Sequence, residues 1–250
     1  MSFLRTTSGK LLPVTPLISA HRGGEVVDGE SALDRYRRAI AHGADFIEFD
    51  VRRTRDDISV VCHDDRTVSG RIVRECLHRD LVEELAGEAL TLEELLNLVS
   101  GRVGLHMDLK ETGYESDVVE AALFAVSRDK LVITGADDVI RNVKERFPEV
   151  TAGLSLGDDL KHVSPWLAPS VRLSELFPGR RIERSHADFV AAHHQLAELN
   201  VLRWCARRGI PVWVWTVDEE RDIARFLRDP RVTALITNRP DVAMRIRSGS

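Results

Sequence analysis

The chain has 250 residues, of which 43% are hydrophobic and 30% are charged, so it can bury a large core and is unlike a disordered chain. Its formal net charge of −5 is modest for this length, so a general nucleic-acid surface is not indicated and any anion site must be local. Three widely spaced cysteines give no pattern for a disulfide framework or a zinc site.

The N-terminal region has no apolar stretch of signal-peptide length, and no later window approaches a membrane span. We therefore expect a cytoplasmic protein without an integral membrane segment. No sequence pattern indicates an oligomeric state.

Short apolar runs alternate with helical patterns along the chain. Leu33, Tyr36 and Ile40 stand at helical spacing and predict a helix over 31 to 42. Thr91 and Glu94 stand at capping-box spacing ahead of another helix. Strands are predicted at 16 to 20, 45 to 51, 58 to 63, 103 to 109, 131 to 134, 151 to 156, 188 to 192, 211 to 217 and 233 to 237. Other helices are predicted near 80 to 86, 116 to 127, 138 to 147, 195 to 208, 218 to 228 and 240 to 247. The basic run at 178 to 184 is interpreted as a solvated loop.

Nine extended runs are one more than a (β/α)₈ barrel needs. The linker between 45 to 51 and 58 to 63 is too short for a parallel crossover, so the second run is predicted to return antiparallel to the first. The other eight predict an α/β fold, a TIM barrel formed by one domain over 1 to 250, with a short insertion at about 64 to 90 after the second strand. A doubly wound sheet is the alternative, but HRGGEVVDGES fits no dinucleotide or P-loop spacing.

Two carboxylates interrupt the strand predicted at 45 to 51. Side chains alternate between the faces of a strand, so Glu48 and Asp50 project to the same side, opposite to the apolar residues. Such a pair repels itself unless something lies between. An arginine, a shared proton or a metal ion would each serve.

Further polar residues are predicted at the C-terminal ends of the strands, where a β/α barrel has its active site. His21 and Arg22 end the first strand. If the chain turns at about 56 or 57, a symmetric return brings His63 opposite Asp50. Two histidines beside a bound phosphate are a natural acid and base pair.

The motif HMDLK places three polar side chains on one face at the end of the next barrel strand, namely His106, Asp108 and Lys110. His106 lies deeper, and a buried, hydrogen-bonded role is expected for it. Asp108 brings the rim carboxylates to three, which suits a hard divalent cation such as Mg²⁺ or Ca²⁺. Arg22 and Lys110 would complete an anion site around that ion.

The sequence resembles the glycerophosphodiester phosphodiesterase family, which has a TIM-barrel fold and hydrolyses glycerophosphodiesters to glycerol 3-phosphate and an alcohol. Each matching motif is weak alone, but their order and spacing over residues 18 to 240 are specific. The motifs are AHRGG, GES, GADFIEFDVRRTRDD, VVCHDD, LTLEELL, DLK, VWVWTVD and LITNRP.

The resemblance implies roles for the rim residues. It implies that His21 and His63 are the catalytic acid and base, and that Glu48, Asp50 and Asp108 bind a divalent metal, Mg²⁺ or Ca²⁺, with Mn²⁺ also suitable. The substrate is implied to be a small phosphodiester.

Four residues are implied to bind substrate. Arg22 and Lys110 would contact the phosphate. Glu30 would support the rim, and Trp215 would pack against the organic part.

The sequence departs from the family pattern at four positions. Asp108 stands where Glu is commoner, Ser31 replaces Asn, Asn238 replaces Asp, and Asp218 replaces Asn. Because Asp at the third metal position is also the pattern of sphingomyelinase D-like phospholipases, a lysophospholipid or sphingomyelinase D-like phosphodiesterase that forms a cyclic phosphate is the alternative. A non-catalytic phosphate-ligand binding protein is a third reading, which the two histidines disfavour.

Overall fold

A closed parallel β-barrel is the centre of the computed structural model, which describes residues 3–5, 11–13, 15–85, 89–157 and 167–249. Each barrel strand is hydrogen-bonded to its two neighbours, and the pairing of the first with the second closes the barrel. The strands are β1 (Leu17–Ala20), β2 (Phe46–Arg53), β3 (Gly104–Leu109), β4 (Leu131–Gly135), β5 (Thr151–Leu156), β6 (Phe189–His193), β7 (Val212–Trp215) and β8 (Ala234–Thr237). The predicted TIM barrel is confirmed.

Helices follow the strands and cover the outside of the barrel. The α-helices are α1 (Ala32–Ala41), α2 (His78–Glu84), α3 (Leu92–Val99), α4 (Glu115–Ala125), α5 (Asp137–Arg146), α6 (Ala168–Leu176), α7 (Gly179–Ser185), α8 (His194–Leu196), α9 (Leu202–Ala206), α10 (Glu220–Leu227) and α11 (Pro240–Ser248). A π-helical segment (Ala197–Val201) joins α8 to α9, and short 3₁₀ helices occur at His21–Gly23, Val73–Glu75 and Arg128–Lys130. Among the described residues, no helix is long and apolar enough to cross a membrane.

Two capping interactions fix helix starts near the barrel rim. The hydroxyl of Ser31 accepts a hydrogen bond from the backbone N–H of Asp34 and caps α1, so the residue that replaces the family's Asn has a local structural role. Thr91 and Glu94 form the predicted capping box at α3.

The surplus strand, Ser59–Val61, pairs antiparallel with the end of β2, as predicted, but with a different register. The backbone N–H of Cys62 donates to the carbonyl of Asp50, so Cys62 and not His63 lies opposite Asp50. The turn is centred on Asp56, half a position earlier than a return to His63 requires, because Thr54 and Ile58 close it by backbone hydrogen bonding.

The segment after this strand corresponds to the predicted insertion at 64 to 90, of which 86–88 lie outside the described residues. Its apolar side chains form a satellite hydrophobic cluster with Val60 of the return strand, and the cluster includes Val73, Cys76, Leu81 and Ala89. The segment is therefore anchored beside the barrel by its own buried contacts.

The run at 178 to 184, interpreted above as a loop, is instead largely helical, since α7 spans Gly179–Ser185. Arg181 forms a bidentate hydrogen-bonded ion pair with Asp137 at the start of α5. This long-range pair gives one of the basic residues a partner that local sequence does not reveal.

Large aromatic side chains fill the lower barrel interior. Phe46 and Phe189 pack against Trp213 with ring centroids 5.5 and 5.1 Å away. A Cβ atom at Gly104 or Gly153 would come within 2.5 Å of these phenylalanine rings, so only glycine fits there. This apolar layer is the floor below the polar residues.

Candidate active site

A pocket at the C-terminal end of the barrel brings together eight of the nine predicted site residues. Glu48 and Asp50 both point inward from β2 and are only 4% and 3% exposed. The pocket is lined by His21, Arg22, Glu48, Asp50, His63, His106, Asp108, Lys110, Thr134, Ser155, Ala191, Trp215 and Ile236.

Lys110 and Arg22 neutralise much of the acidic cluster. The β2 and β3 strands pair with Asp50 beside Asp108, which places both carboxylates at the same height in the barrel. The Lys110 Nζ atom donates to Asp50 Oδ1 at 2.8 Å and also to Asp108. Arg22 Nε lies 3.1 Å from Asp50 Oδ2. Burial disfavours the charge on Lys110, but the two carboxylates outweigh it and raise its pKa, so the ammonium persists at neutral pH.

Of the three carboxylates in the pocket, Glu48 has the least positive charge beside it. The backbone N–H of Arg22 donates to its Oε2 at 2.9 Å, and His21 Nε2 lies 4.0 Å from the same oxygen. Burial, then repulsion from Asp50 and Asp108, raises the pKa of Glu48 well above its usual range. When all three carboxylates are ionised, the site holds one negative charge more than Arg22 and Lys110 balance.

The turn after β1 aims Arg22 into this cluster. Arg22 adopts the left-handed conformation with φ of 49°, which costs a non-glycine residue about 1 kcal/mol. Gly23 follows with φ of 77°, and a Cβ there would lie 2.9 Å from the Tyr36 ring. The glycine permits the turn that directs the backbone N–H of Arg22 to Glu48.

His21 is held by an amide whose orientation is defined. Asn238 Nδ2 donates to Asp218 Oδ2 at 2.8 Å, so Asn238 Oδ1 faces His21 Nδ1, also at 2.8 Å. Because the amide oxygen only accepts, Nδ1 carries the proton and Nε2 presents its lone pair near Glu48. Burial lowers the pKa of His21, with the Asn238 bond opposing it, so the ring is neutral at neutral pH.

His63 reaches the pocket from the other side, just beyond the return strand. Its Nδ1 lies 2.7 Å from Asp64 Oδ1. A carboxylate accepts, so Nδ1 donates and Nε2 is left for a ligand. Although the predicted register was wrong by one position, His63 still lines the pocket.

The remaining two predicted substrate-binding residues, Trp215 and Glu30, lie inside and outside the pocket respectively. Trp215 lines the pocket from β7 and its Nε1 donates to the carbonyl of Ala191 at 3.1 Å, which fixes the ring. Glu30 is not among the lining residues: its two oxygens each accept a hydrogen bond from Arg38 of α1 at 2.8 Å. A full bidentate partner explains why the carboxylate lies away from the pocket.

Substitution of Glu30 tests this separation. We expect Glu30→Gln to change kcat and KM by no more than about twofold, because its ion pair lies outside the pocket and surface changes are usually small. Steady-state kinetics, with thermal unfolding as a folding control, would check it. A loss of tenfold or more would return Glu30 to the substrate site.

Two pocket residues, Thr134 and Ser155, carry polar contacts that the sequence analysis did not assign. Thr134 Oγ1 donates to Asp108 Oδ1 at 2.6 Å, and Ser155 Oγ donates to the same oxygen at 3.2 Å. His106 is buried and hydrogen-bonded through both ring nitrogens, as predicted, and burial lowers its pKa to about 4, so its imidazole is neutral. Thr134 and Ser155 lie near the C-terminal ends of β4 and β5, a position that could have identified them.

The carboxylates fit a hard divalent cation by donor type and by charge. All three would offer oxygen ligands, and a cation would neutralise the charge that an ionised Glu48 adds to this cluster. Across the described ranges, no three acidic, histidine or cysteine side chains are already spaced as ligands of one ion, and the Lys110 ammonium bridges Asp50 and Asp108. Glu48, Asp50 and Asp108 are the residues that would hold the cation.

Comparison with known proteins agrees with this fold and defines the class: the protein is a phosphoric diester hydrolase. The model of the glycerophosphoryl diester phosphodiesterase family matches residues 21–147, just over half of the chain. The chain belongs to that family, as its motifs indicated.

Individual relatives match over nearly the whole chain. A glycerophosphodiester phosphodiesterase of Caldanaerobacter subterraneus subsp. tengcongensis is 27% identical over 252 residues, which cover 92% of this chain and 97% of the relative. A glycerophosphodiester phosphodiesterase of Bacillus subtilis is 24% identical over 276 residues, covering 97% and 90%.

Solved structures show the same barrel. A glycerophosphodiester phosphodiesterase of Parabacteroides distasonis superposes with a TM-score of 0.72 at 21% identity, over 94% of this chain and 97% of that chain. An Oleispira antarctica phosphodiesterase, solved in complex with the product sn-glycerol-3-phosphate, superposes with a TM-score of 0.71 at 19% identity, over the same shares.

Proposed function

We propose that this protein is a metal-dependent phosphodiesterase that hydrolyses glycerophosphodiesters to glycerol 3-phosphate and an alcohol. The observation that carries the proposal is the convergence of two histidines on a pocket that also holds Arg22, Lys110 and three carboxylates. The names of the relatives and the product in the Oleispira structure support this substrate class.

Arg22 and Lys110 bind the phosphate in this proposal. Lys110 remains an ammonium because the carboxylates beside it raise its pKa, and Arg22 lies on the same acidic cluster. Two cations fixed at the pocket stabilise the negative charge that grows on the phosphate oxygens in the transition state.

Glu48, Asp50 and Asp108 would hold Mg²⁺ or Ca²⁺, with Mn²⁺ also suitable. When bound, such an ion supplies Lewis-acid stabilisation of nonbridging phosphate oxygens. Oxygen ligands match the preference of these hard cations, and the excess negative charge at Glu48 is the electrostatic reason to bind one.

His21 acts as the general base. Its Nδ1 proton is committed to Asn238, so the Nε2 lone pair is free to take a proton from the attacking hydroxyl group. That group is water or a hydroxyl of the substrate itself, and the second route gives a cyclic phosphate first.

His63 acts as the complementary acid. Its Nδ1–H is oriented by Asp64, and in the imidazolium form of His63 the proton on Nε2 passes to the leaving alkoxide, which leaves the ring neutral. Trp215, fixed by its bond to Ala191, packs against the organic part of the substrate.

Turnover of glycerophosphocholine tests the proposal. We expect glycerol 3-phosphate and choline to form, EDTA to abolish the reaction, and Mg²⁺, Mn²⁺ or Ca²⁺ to restore it. Activity is measured by phosphorus NMR, which also detects a cyclic phosphate. Full activity after thorough chelation would refute metal dependence, and no hydrolysis of any glycerophosphodiester with each metal added would refute the activity.

A further inference from the structure

A chain of buried hydrogen bonds crosses the barrel interior below the pocket and ends on Asp108. Ser19 Oγ lies 3.1 Å from His106 Nδ1, His106 Nε2 lies 3.0 Å from Thr134 Oγ1, and Thr134 Oγ1 lies 2.6 Å from Asp108 Oδ1. Ser19, His106 and Thr134 are each no more than 2% exposed. These hydrogen bonds link three barrel strands, β1, β3 and β4, inside the protein.

The direction of every bond follows from its last member. The Asp108 carboxylate accepts, so the single proton of the Thr134 hydroxyl points to Asp108. The Thr134 oxygen must then accept from His106, which places the ring proton on Nε2. The remaining ring nitrogen, Nδ1, accepts from the Ser19 hydroxyl. One tautomer of His106 satisfies the whole chain.

Packing fixes the His106 ring as well. The Trp213 ring meets it edge-on, with centroids 4.9 Å apart and an interplanar angle of 80°. Trp213 is itself packed between Phe46 and Phe189 in the barrel floor. The imidazole therefore cannot rotate away from Thr134 without disturbing the floor.

Asp108 is held on both sides by this arrangement. Its Oδ1 accepts from Thr134 and from Ser155, and its Oδ2 accepts from Lys110. A short aspartate has few conformations, and donors on both oxygens select one of them. Burial opposes its ionisation, but Lys110 and Thr134 outweigh burial and lower the pKa of Asp108, so the group accepts at every physiological pH.

We propose that His106 is a positioning residue that, through Thr134, orients the Asp108 carboxylate toward the bound cation. This inference rests on the proposed function, because it assigns Asp108 to the cation that the reaction requires. The chain of donors gives the shorter aspartate a fixed direction at the position where the family more often has glutamate. Residues behind the ligands commonly control metal affinity in this way.

The affinity of the whole protein for a divalent cation tests whether the hydrogen-bond chain positions Asp108. We expect Thr134→Val, which keeps the shape but removes the hydroxyl, to weaken Mn²⁺ binding roughly 10- to 100-fold in isothermal titration calorimetry. His106→Phe should weaken it at least about tenfold. Thr134→Ser keeps the donor and should restore affinity to within about threefold of wild type.

A matched control separates positioning from general loss of a buried bond. Thr233 also has a buried side chain, whose hydroxyl donates to the backbone carbonyl of Val212 at 2.8 Å. Thr233→Val removes a comparable hydrogen bond that is not connected to His106 or Asp108, so it should leave the Mn²⁺ affinity within about twofold of wild type. Thermal unfolding of each variant confirms that the fold persists.

A second measurement needs no metal. Nitrogen-15 NMR of the histidine rings should show His106 with its proton on Nε2 in the metal-free protein, and Thr134→Val should weaken that preference. Wild-type affinity in both Thr134→Val and His106→Phe, or a proton on Nδ1 in the wild type, would overturn the inference.

The outcomes distinguish this inference from the proposed function. If an active wild type and the variants Thr134→Val and His106→Phe bound Mn²⁺ with equal affinity, only the positioning role of His106 would be overturned. A wild type that binds Mn²⁺ but hydrolyses no diester would overturn the activity, while the affinity comparison would still decide the role of His106. A wild type that binds no cation would overturn both.

Discussion

Replacement of His21 with alanine is expected to lower kcat about 100-fold or more while the protein stays folded, which is the usual scale for loss of a general base. The expectation follows from the Nε2 lone pair, which Asn238 and Asp218 direct into the pocket by fixing the proton on Nδ1. The same size of loss is expected for His63→Ala. Rates with glycerophosphocholine at saturating metal, with circular dichroism to check folding, measure both.

His42→Ala is the matched control, because His42 is exposed at the end of α1 and away from the pocket. Its kcat should stay within about twofold of wild type. If His21→Ala turned over at a similar rate, His21 would have no part in proton transfer.

The pH profile provides a separate test of the same assignment. A base must be neutral, and burial lowers the pKa of His21 below its ordinary 6.5, so activity should persist to lower pH and fall only as pH drops through the depressed pKa. Asn238→Asp puts a carboxylate on Nδ1, which favours the protonated ring and should move the acid limb upward. An unchanged or downward-shifted limb would contradict the role of His21 as base.

The barrel could be predicted because its signal repeats along the chain. Each strand is a short apolar run, and the one short linker, between residues 51 and 58, identified the antiparallel return. The placement of Glu48, Asp50 and Asp108 follows from strand periodicity alone, since inward residues alternate and the strand ends share one rim.

What could not be predicted depends on contacts between distant residues. Asn238 and Asp218 are 20 residues apart, and only their direct bonding shows that the exchanged amide and acid still act together on His21. The side chain of Glu30 lies outside the pocket because Arg38 binds its carboxylate, a contact that the strand and motif patterns do not reveal. The helix at 179–185 likewise has a remote ionic partner, Asp137.

Glu48→Gln is expected to abolish most metal-dependent activity and yet to stabilise the metal-free protein at neutral pH. A carboxylate that is 4% exposed and repelled by Asp50 and Asp108 destabilises the fold when ionised, whereas an amide carries no charge. Added Mg²⁺ is expected to raise the Tm of the wild type, since a cation stabilises by binding the folded state, and loss of the proposed ligand Glu48 should remove most of that rise.

The sign of the pH dependence follows from the raised pKa of Glu48. In the unfolded chain the group titrates near its ordinary 4.5, and in the folded chain at a higher pH. The folded state thus holds the proton more tightly, and this contribution is fully present below about pH 4.5 and is lost as pH rises through the folded pKa. This contribution is therefore smaller at neutral and alkaline pH than below about pH 4.5, so the glutamine variant should have its larger advantage there.

Thermal unfolding in EDTA at pH 5 and pH 8 measures the difference in stability between the wild type and Glu48→Gln, with Glu115→Gln as the matched control. Glu115 is also buried, but Gly113 and Asn142 donate to it at 2.6 and 2.7 Å, so its replacement should lower Tm. Glu48→Gln should instead raise Tm at pH 8 by about 2 °C or more, the shift expected for 1 kcal/mol in a chain of this size. A lower Tm at pH 8 would mean that Arg22 and Lys110 already balance Glu48, and the electrostatic case for a cation at this site would fail.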